Sequence, residues 1–146
     1  PGRITFQVTL AETLMQQNKL DEARALLKDA LSRNPGNYPI TSTLADVEIA
    51  TGNGTQAAEH LKQLTRRMPQ QEYLWLRLAE AEGMARNIVG VHRARAEYDA
   101  LMGDLESAQR QLRQAQEKLP AGSAQRQVVS ERLSEITSRL QAHRNS

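Results

Sequence analysis

Apolar positions along this chain fall at helical spacing, in blocks that themselves recur. Residues 18–35, NKLDEARALLKDALSRNP, carry Ala23 and Leu27 one turn apart in a segment that mixes charged and apolar residues. The arrangement returns in residues 52–69, GNGTQAAEHLKQLTRRMP, as Ala57 and Leu61, and in residues 103–120, GDLESAQRQLRQAQEKLP, as Ala108 and Leu112. Side chains four apart stack on one face of an α-helix, so each block predicts an amphipathic helix with a small residue and a large one facing inward. Near the C-terminus Val129, Leu133, Ile136 and Leu140 form a further stripe at spacings of four, three and four, with Gln, Arg, Ser and Glu elsewhere.

The first two blocks belong to a longer period. A step of 34 residues superposes Leu10 on Leu44, Ala11 on Ala45, Asn18 on Gly52, Ala23 on Ala57, Leu27 on Leu61 and Pro35 on Pro69. Each position has a physical task. The Leu-Ala pair sits in a first helix, where the small residue lets a second helix approach. Asn18 and Gly52 suit the turn because both tolerate left-handed backbone. Pro35 and Pro69 stop the second helix, since proline cannot donate to a continuing ladder. This pattern resembles the tetratricopeptide repeat (TPR), a helix–turn–helix unit of that length. The resemblance implies an all-α solenoid of antiparallel helices wound as a right-handed superhelix.

The third block lies 51 residues after the second, which is one and a half periods. A half-repeat is therefore inserted. QEYLWLRLAEAEGMA (71–85) reads as a first helix, with Trp75 and Leu78 at large apolar positions. NIVGVHRARAEYDALM (87–102) reads as its partner and also as the first helix of the next unit. Eight helices are predicted, near 4–17, 20–33, 38–51, 54–67, 71–85, 88–102, 104–118 and 123–142. The expected organisation is a repeat array over 1–122 (repeats 4–37 and 38–71, the half-repeat 71–88, a repeat 88–122) followed by a terminal helix over 123–146. That last helix serves either as the polar-faced cap that repeat arrays need or, its stripe being heptad-like, as a coiled-coil contact. At the other end Phe6, Val8, Leu10 and Leu14 open the first repeat with no cap before them, and the chain starts at Pro1. Truncation from a longer array, with an exposed apolar edge, is the expectation there.

Composition narrows the function. Aromatics are 3% of 146 residues and the formal charge is +2 with both signs interspersed, which lacks the basic face and stacking aromatics of a nucleic-acid binder. No apolar run approaches the ~20 residues of a membrane span. There is no cysteine, so disulfides, thiolate nucleophiles and sulfur metal sites are absent. His60, His92 and His143 share no metal-ligand spacing, and His60 in AAEHLKQ reads as a solvated helix residue. The glycines of TGNGT (51–55) mark an inter-helix turn, not a phosphate loop. No catalytic residue, metal ligand or cofactor-binding residue is expected.

One polar constellation follows the period. Glu12, Asp46, Glu80 and Glu97 are separated by 34, 34 and 17 residues, so they occupy the same place in four successive first helices. In TPR arrays that place faces the concave groove. A row of carboxylates there suits a basic or amide-rich peptide. Alternatively these are solvated positions neutralised locally, because Arg93 lies four residues before Glu97 and Arg77 three before Glu80. TPR domains that bind chaperone tails grip a C-terminal carboxylate with Lys and Asn. Here the corresponding inner positions hold Val8 with Glu12 and Ser42 with Asp46, so that clamp is absent.

Residues 73–112, YLWLRLAEAEGMARNIVGVHRARAEYDALMGDLESAQRQL, carry a closer resemblance. RLAEAEG, HRARAEY and GDLESAQRQL are similar to the C-terminal TPR region of bacterial periplasmic zinc metalloproteases of the β-barrel assembly-enhancing protease (BepA) type. The resemblance implies a non-catalytic, protein-binding part of such an enzyme, working in the periplasm. Its implied partners are outer-membrane β-barrel proteins, the barrel-assembly machinery and its own protease domain, and zinc would sit only in that separate domain. The alternative is a stand-alone TPR scaffold in another bacterial assembly.

Overall fold

The computed structural model of the chain describes residues 2–146, and all regular structure among them is helical. The helices are α1 (Gly2–Gln16), α2 (Leu20–Arg33), α3 (Tyr38–Ala50), α4 (Gly54–Arg67), α5 (Glu72–Met84), α6 (Ile88–Leu101), α7 (Leu105–Glu117) and α8 (Ala124–Arg144). All eight predicted helices are present, with ends displaced by at most two residues. Four starts are set by side chains that accept from orphan N–H groups: Asn37 from Ile40, Asn87 from Gly90, Asp104 from Ser107 and Ser123 from Arg126. Pro35, Pro69 and Pro120 follow the ends of α2, α4 and α7 within three residues.

The turns explain the half-repeat. The α1–α2, α3–α4, α5–α6 and α6–α7 connections each place one residue in the left-handed region: Asn18 at φ 60°, Gly52 at 80°, Arg86 at 60° and Gly103 at 85°. The next N–H reaches back five residues in each: Lys19 to the Leu14 carbonyl (2.8 Å), Asn53 to Glu48 (2.8 Å), Asn87 to Glu82 (2.9 Å), Asp104 to Asp99 (2.8 Å). That is the Schellman closure of a helix C-terminus, built four times at spacings of 34, 34 and 17. Because α6 is entered and left through the same turn, it closes one hairpin and opens the next.

Arg86 is the odd member: a Cβ in left-handed backbone costs ~1–2 kcal/mol that glycine avoids, and arginine lacks the short polar side chain that lets asparagine, as at Asn18, adopt it. Arg86→Gly is expected to stabilise the fold by about 0.5–1 kcal/mol, the relieved strain exceeding glycine's entropy cost. Urea unfolding checks this. A loss of stability would show that the arginine side chain holds a contact worth more than the strain.

Contacts group the helices into two compact units, residues up to Pro69 and Gln70–Ser146. In the first, α1 packs on α2 and α3, and α3 on α2 and α4. Ala11, Ala23, Leu27, Ala30, Ile40, Leu44 and Val47 form a buried core there, joined by partly buried Ile4, Val8 and Leu14. In the second, α5 packs on α6, α6 on α7 and α7 on α8. Its core combines Ala96, Ala100, Ala108, Leu112, Ala115 and Leu119 with Val129 and Ile136 of α8. The period-defining Ala23, Ala57 and Ala108 have no exposed surface, as a close helix approach requires.

The apolar stripe of α8 is consumed inside its own unit: Val129, Ile136 and Leu140 are buried and Leu133 packs against the same core. Polar bonds from Gln109 to Thr137 (3.1 Å) and Gln116 to Ser130 (2.8 Å) fix α8 on α7. At the N-terminus Phe6 is 66% exposed and Leu10 38%, while Val8 and Leu14 are half-buried, so only part of the expected apolar edge is open.

Candidate partner-binding face

The carboxylates of the first-helix row do not share one environment. Glu12 on α1 and Asp46 on α3 are exposed, each following an alanine, Ala11 or Ala45, that faces the core. Asp46 has a polar interaction of its own, so it is not a bare charge. Glu80 on α5 is likewise exposed beside buried Ala79.

Glu97 on α6 differs. It is half-buried and gripped by Arg132 of α8, whose Nε–H donates to Oε2 (2.9 Å) and Nη2–H to Oε1 (2.8 Å). The sequence offered Arg93, one turn before on the same helix, as its neighbour. Arg93 is exposed, and the paired arginine comes from α8 instead. Arg77 also departs from the expected pairing with Glu80. It is buried, with its guanidinium 5.4 Å from the centre of the Tyr73 ring. A cation over the negative face of an aromatic ring is attracted to it.

What α5 presents outward is a mixed stripe. Tyr73, Leu76, Glu80 and Met84 lie at helical spacing on its open face, and the three non-acidic members are 59%, 43% and 37% exposed. Ile88, just past the turn, is 50% exposed. Single exposed apolar residues are ordinary on any surface, but several aligned on one helix face mark contact sites.

A second periodic row of acids escaped the sequence reading. Glu48, Glu82 and Asp99 stand two residues after Asp46, Glu80 and Glu97, and they face inward. Glu48 is 1% exposed and accepts from Arg24 Nε (2.9 Å) and Asn53 Nδ2 (3.1 Å). Glu82, 4% exposed, accepts from Asn87 Nδ2 (3.1 Å). Asp99 accepts from Ser107 Oγ (2.7 Å). These carboxylates tie the ends of α3, α5 and α6 to the helix that follows each, so their work is structural.

His60 corrects an expectation: it is half-buried on α4 rather than solvated. Burial pushes its imidazole below the ordinary histidine range, helped by Lys28 and opposed by Glu48 and Glu59. The unfolded chain therefore takes up the proton first. Stability is expected to fall as pH drops below about 6.5 and to level off once the folded form protonates too. Thermal unfolding from pH 8 to pH 5 of the protein and of His60→Gln tests this, and the variant should lose that part of the pH dependence.

No group of three or more His, Asp or Glu among the described residues could hold a metal ion, and no helix is long and apolar enough to cross a membrane.

The helices thus define a domain of repeated helical hairpins with a TPR-like fold. Sequence comparison agrees: two tetratricopeptide-repeat family models match, one over residues 14–81 and the other over 89–114. Over those residues the chain is similar to tetratricopeptide repeats. The second match spans most of α6 and runs into α7. Among solved structures, the chain is similar to a thermophilic TPR protein of Thermus thermophilus, at 22% identity over 76% of this chain and 72% of that one, with a TM-score of 0.48. No curated protein sequence matches.

Proposed function

We propose that this chain is a non-catalytic module that binds protein segments, with the open face of α5 as the principal contact. The stripe of Tyr73, Leu76, Glu80 and Met84 carries this reading. Tyrosine and methionine are enriched where proteins meet, and an aromatic ring stiffened by the buried Arg77 beneath it loses little freedom on binding. In the first unit, taken by itself, Glu12 and Asp46 are exposed carboxylates on α1 and α3, which favours basic or amide-rich partners there.

The finer reading is that the module belongs to a periplasmic zinc metalloprotease of the BepA type. There it would dock the enzyme on outer-membrane β-barrel proteins, on the barrel-assembly machinery or on its own protease domain. That reading rests on the likeness of residues 73–112, and it places zinc and all catalysis outside this chain.

The test is crosslinking capture from bacterial envelope extract with the protein and with Glu80→Lys, an exposed position that leaves the core untouched. Barrel-assembly components or outer-membrane barrels should be captured, and charge reversal should weaken capture about tenfold, ~1.4 kcal/mol. Capture indifferent to the reversal removes the carboxylate from the interface. Absence of any envelope partner favours a stand-alone scaffold.

A further inference from the structure

We propose that Arg132 is a built-in plug for α6: its guanidinium occupies Glu97 as a partner's arginine would, and closes that position until it is released. The inference rests on the binding reading above, because it concerns which first-helix carboxylates a partner can reach.

Three observations carry it. First, Glu97 is the periodic equivalent of Glu12, Asp46 and Glu80, yet it alone of the four is drawn half out of solvent. What covers it is a two-pronged guanidinium fork, the geometry in which arginine recognises a carboxylate most selectively.

Second, Arg132 is not what seats α8. Val129, Ile136 and Leu140 bury the helix on α7, and Gln109–Thr137, Gln116–Ser130 and Arg126 with the Leu119 carbonyl lock its register. Arg132 projects from the flank of that stripe, free to exchange partners while α8 stays in place.

Third, release has a landing site. The Nη1–H of Arg132 already donates to Glu135 Oε2 at 3.2 Å, one turn along the same helix. An incoming arginine can take Glu97 while Arg132 stays paired with Glu135. The Arg132 and Glu97 side chains retain 30% and 23% exposure, so an incoming guanidinium can reach the carboxylate and replace one fork by another of the same geometry. Exchange for an equivalent pair is therefore nearly neutral.

The charged groups that act on Arg132 are Glu97 from α6 and Glu135 on its own helix. An acetylated, amidated tri-arginine peptide is a sufficient probe, followed through the backbone amide resonance of Glu97. Arg132→Gln should tighten its binding about fivefold, the low end of ordinary coupling between sites. Adding Glu97→Gln should abolish that gain. Glu135→Gln, which removes the landing site, should weaken binding to the otherwise native chain. Arg132→Lys keeps a cation but loses the fork, so it should show a smaller gain at the same resonance, and it serves if the glutamine variant proves unstable.

No gain from either Arg132 variant overturns the plug and leaves the pair as a simple clamp. A gain that survives Glu97→Gln overturns it as well, because the peptide would then be binding elsewhere. Envelope capture is read separately, so loss of the binding reading and loss of the plug are distinguishable.

Discussion

Replacing Arg24 with methionine is expected to destabilise the first unit by about 3–5 kcal/mol, the cost of leaving a buried carboxylate without its cation. Arg24 is a hub. Its Nε–H donates to Glu48 (2.9 Å), Nη2–H to Thr51 Oγ1 (2.7 Å) and Nη1–H to Asp21 (2.9 Å). The bond to Glu48 is the main reason its guanidinium is held above the ordinary arginine range. The two partners are unequal in burial: the Glu48 side chain is 2% exposed and that of Arg24 18%.

Removing the arginine therefore strands Glu48, with the neutral amide of Asn53 still donating to it at 3.1 Å. Removing both charges is a different matter. Arg24→Met with Glu48→Leu leaves no buried charge behind, and well-packed apolar replacements of such pairs are commonly neutral. The double variant should regain most of the lost stability, giving a coupling of about 2–3 kcal/mol between the sites. Urea unfolding monitored by helical circular dichroism measures all four forms. A single-variant loss below about 1 kcal/mol would place the pair among surface ion pairs and remove Glu48 from the core.

The same pair shows where the sequence was readable. Eight helices, their proline stops and the double use of α6 all followed from a period of 34 and its half, because small residues, turn residues and prolines announce their tasks by type. Acids do not. Glu48, Glu82 and Asp99 follow the same period as Asp46, Glu80 and Glu97, but composition cannot say which row faces water. A signal was present in the turns. Asn53, Asn87 and Asp104 stand five residues after the inner acids, and both asparagines donate to the carboxylate of their turn. An acid answered five residues later by asparagine across a Schellman turn is a pattern that could have separated the rows.

Arg132 left no such trace. It lies 35 residues from Glu97, outside the third block and on a helix with its own spacing. Only the docking of α8 brings the two together. Arg86 was missed for another reason: arginine is no turn former, so its left-handed backbone follows from the register of its turn and not from its chemistry.

Gly90→Ala is expected to destabilise the second unit by about 1–3 kcal/mol, although alanine is the better helix former by ~1 kcal/mol. Gly90 lies in the first turn of α6, and its N–H donates to Asn87 Oδ1 at 3.1 Å. A methyl group there would overlap the Glu82 carboxylate and come within 2.8 Å of Asn87 Nδ2. A flexible acid on the surface would simply turn away. Glu82 is 4% exposed, so it has no solvent to turn into, and shifting it also breaks its bond to Asn87.

Gly83 is the internal control, seven residues earlier and near the end of α5. A methyl group there meets only Val91 Cγ2, at an ordinary 3.8 Å. Gly83→Ala should therefore stabilise by about 0.5–1 kcal/mol through propensity alone. Opposite signs from the same chemical change, read by urea unfolding, would establish that the buried carboxylate, and not helix propensity, selects glycine at position 90. Two gains would show that Glu82 relocates freely, and the inner acid row would then lose its claim to hold the α5–α6 turn.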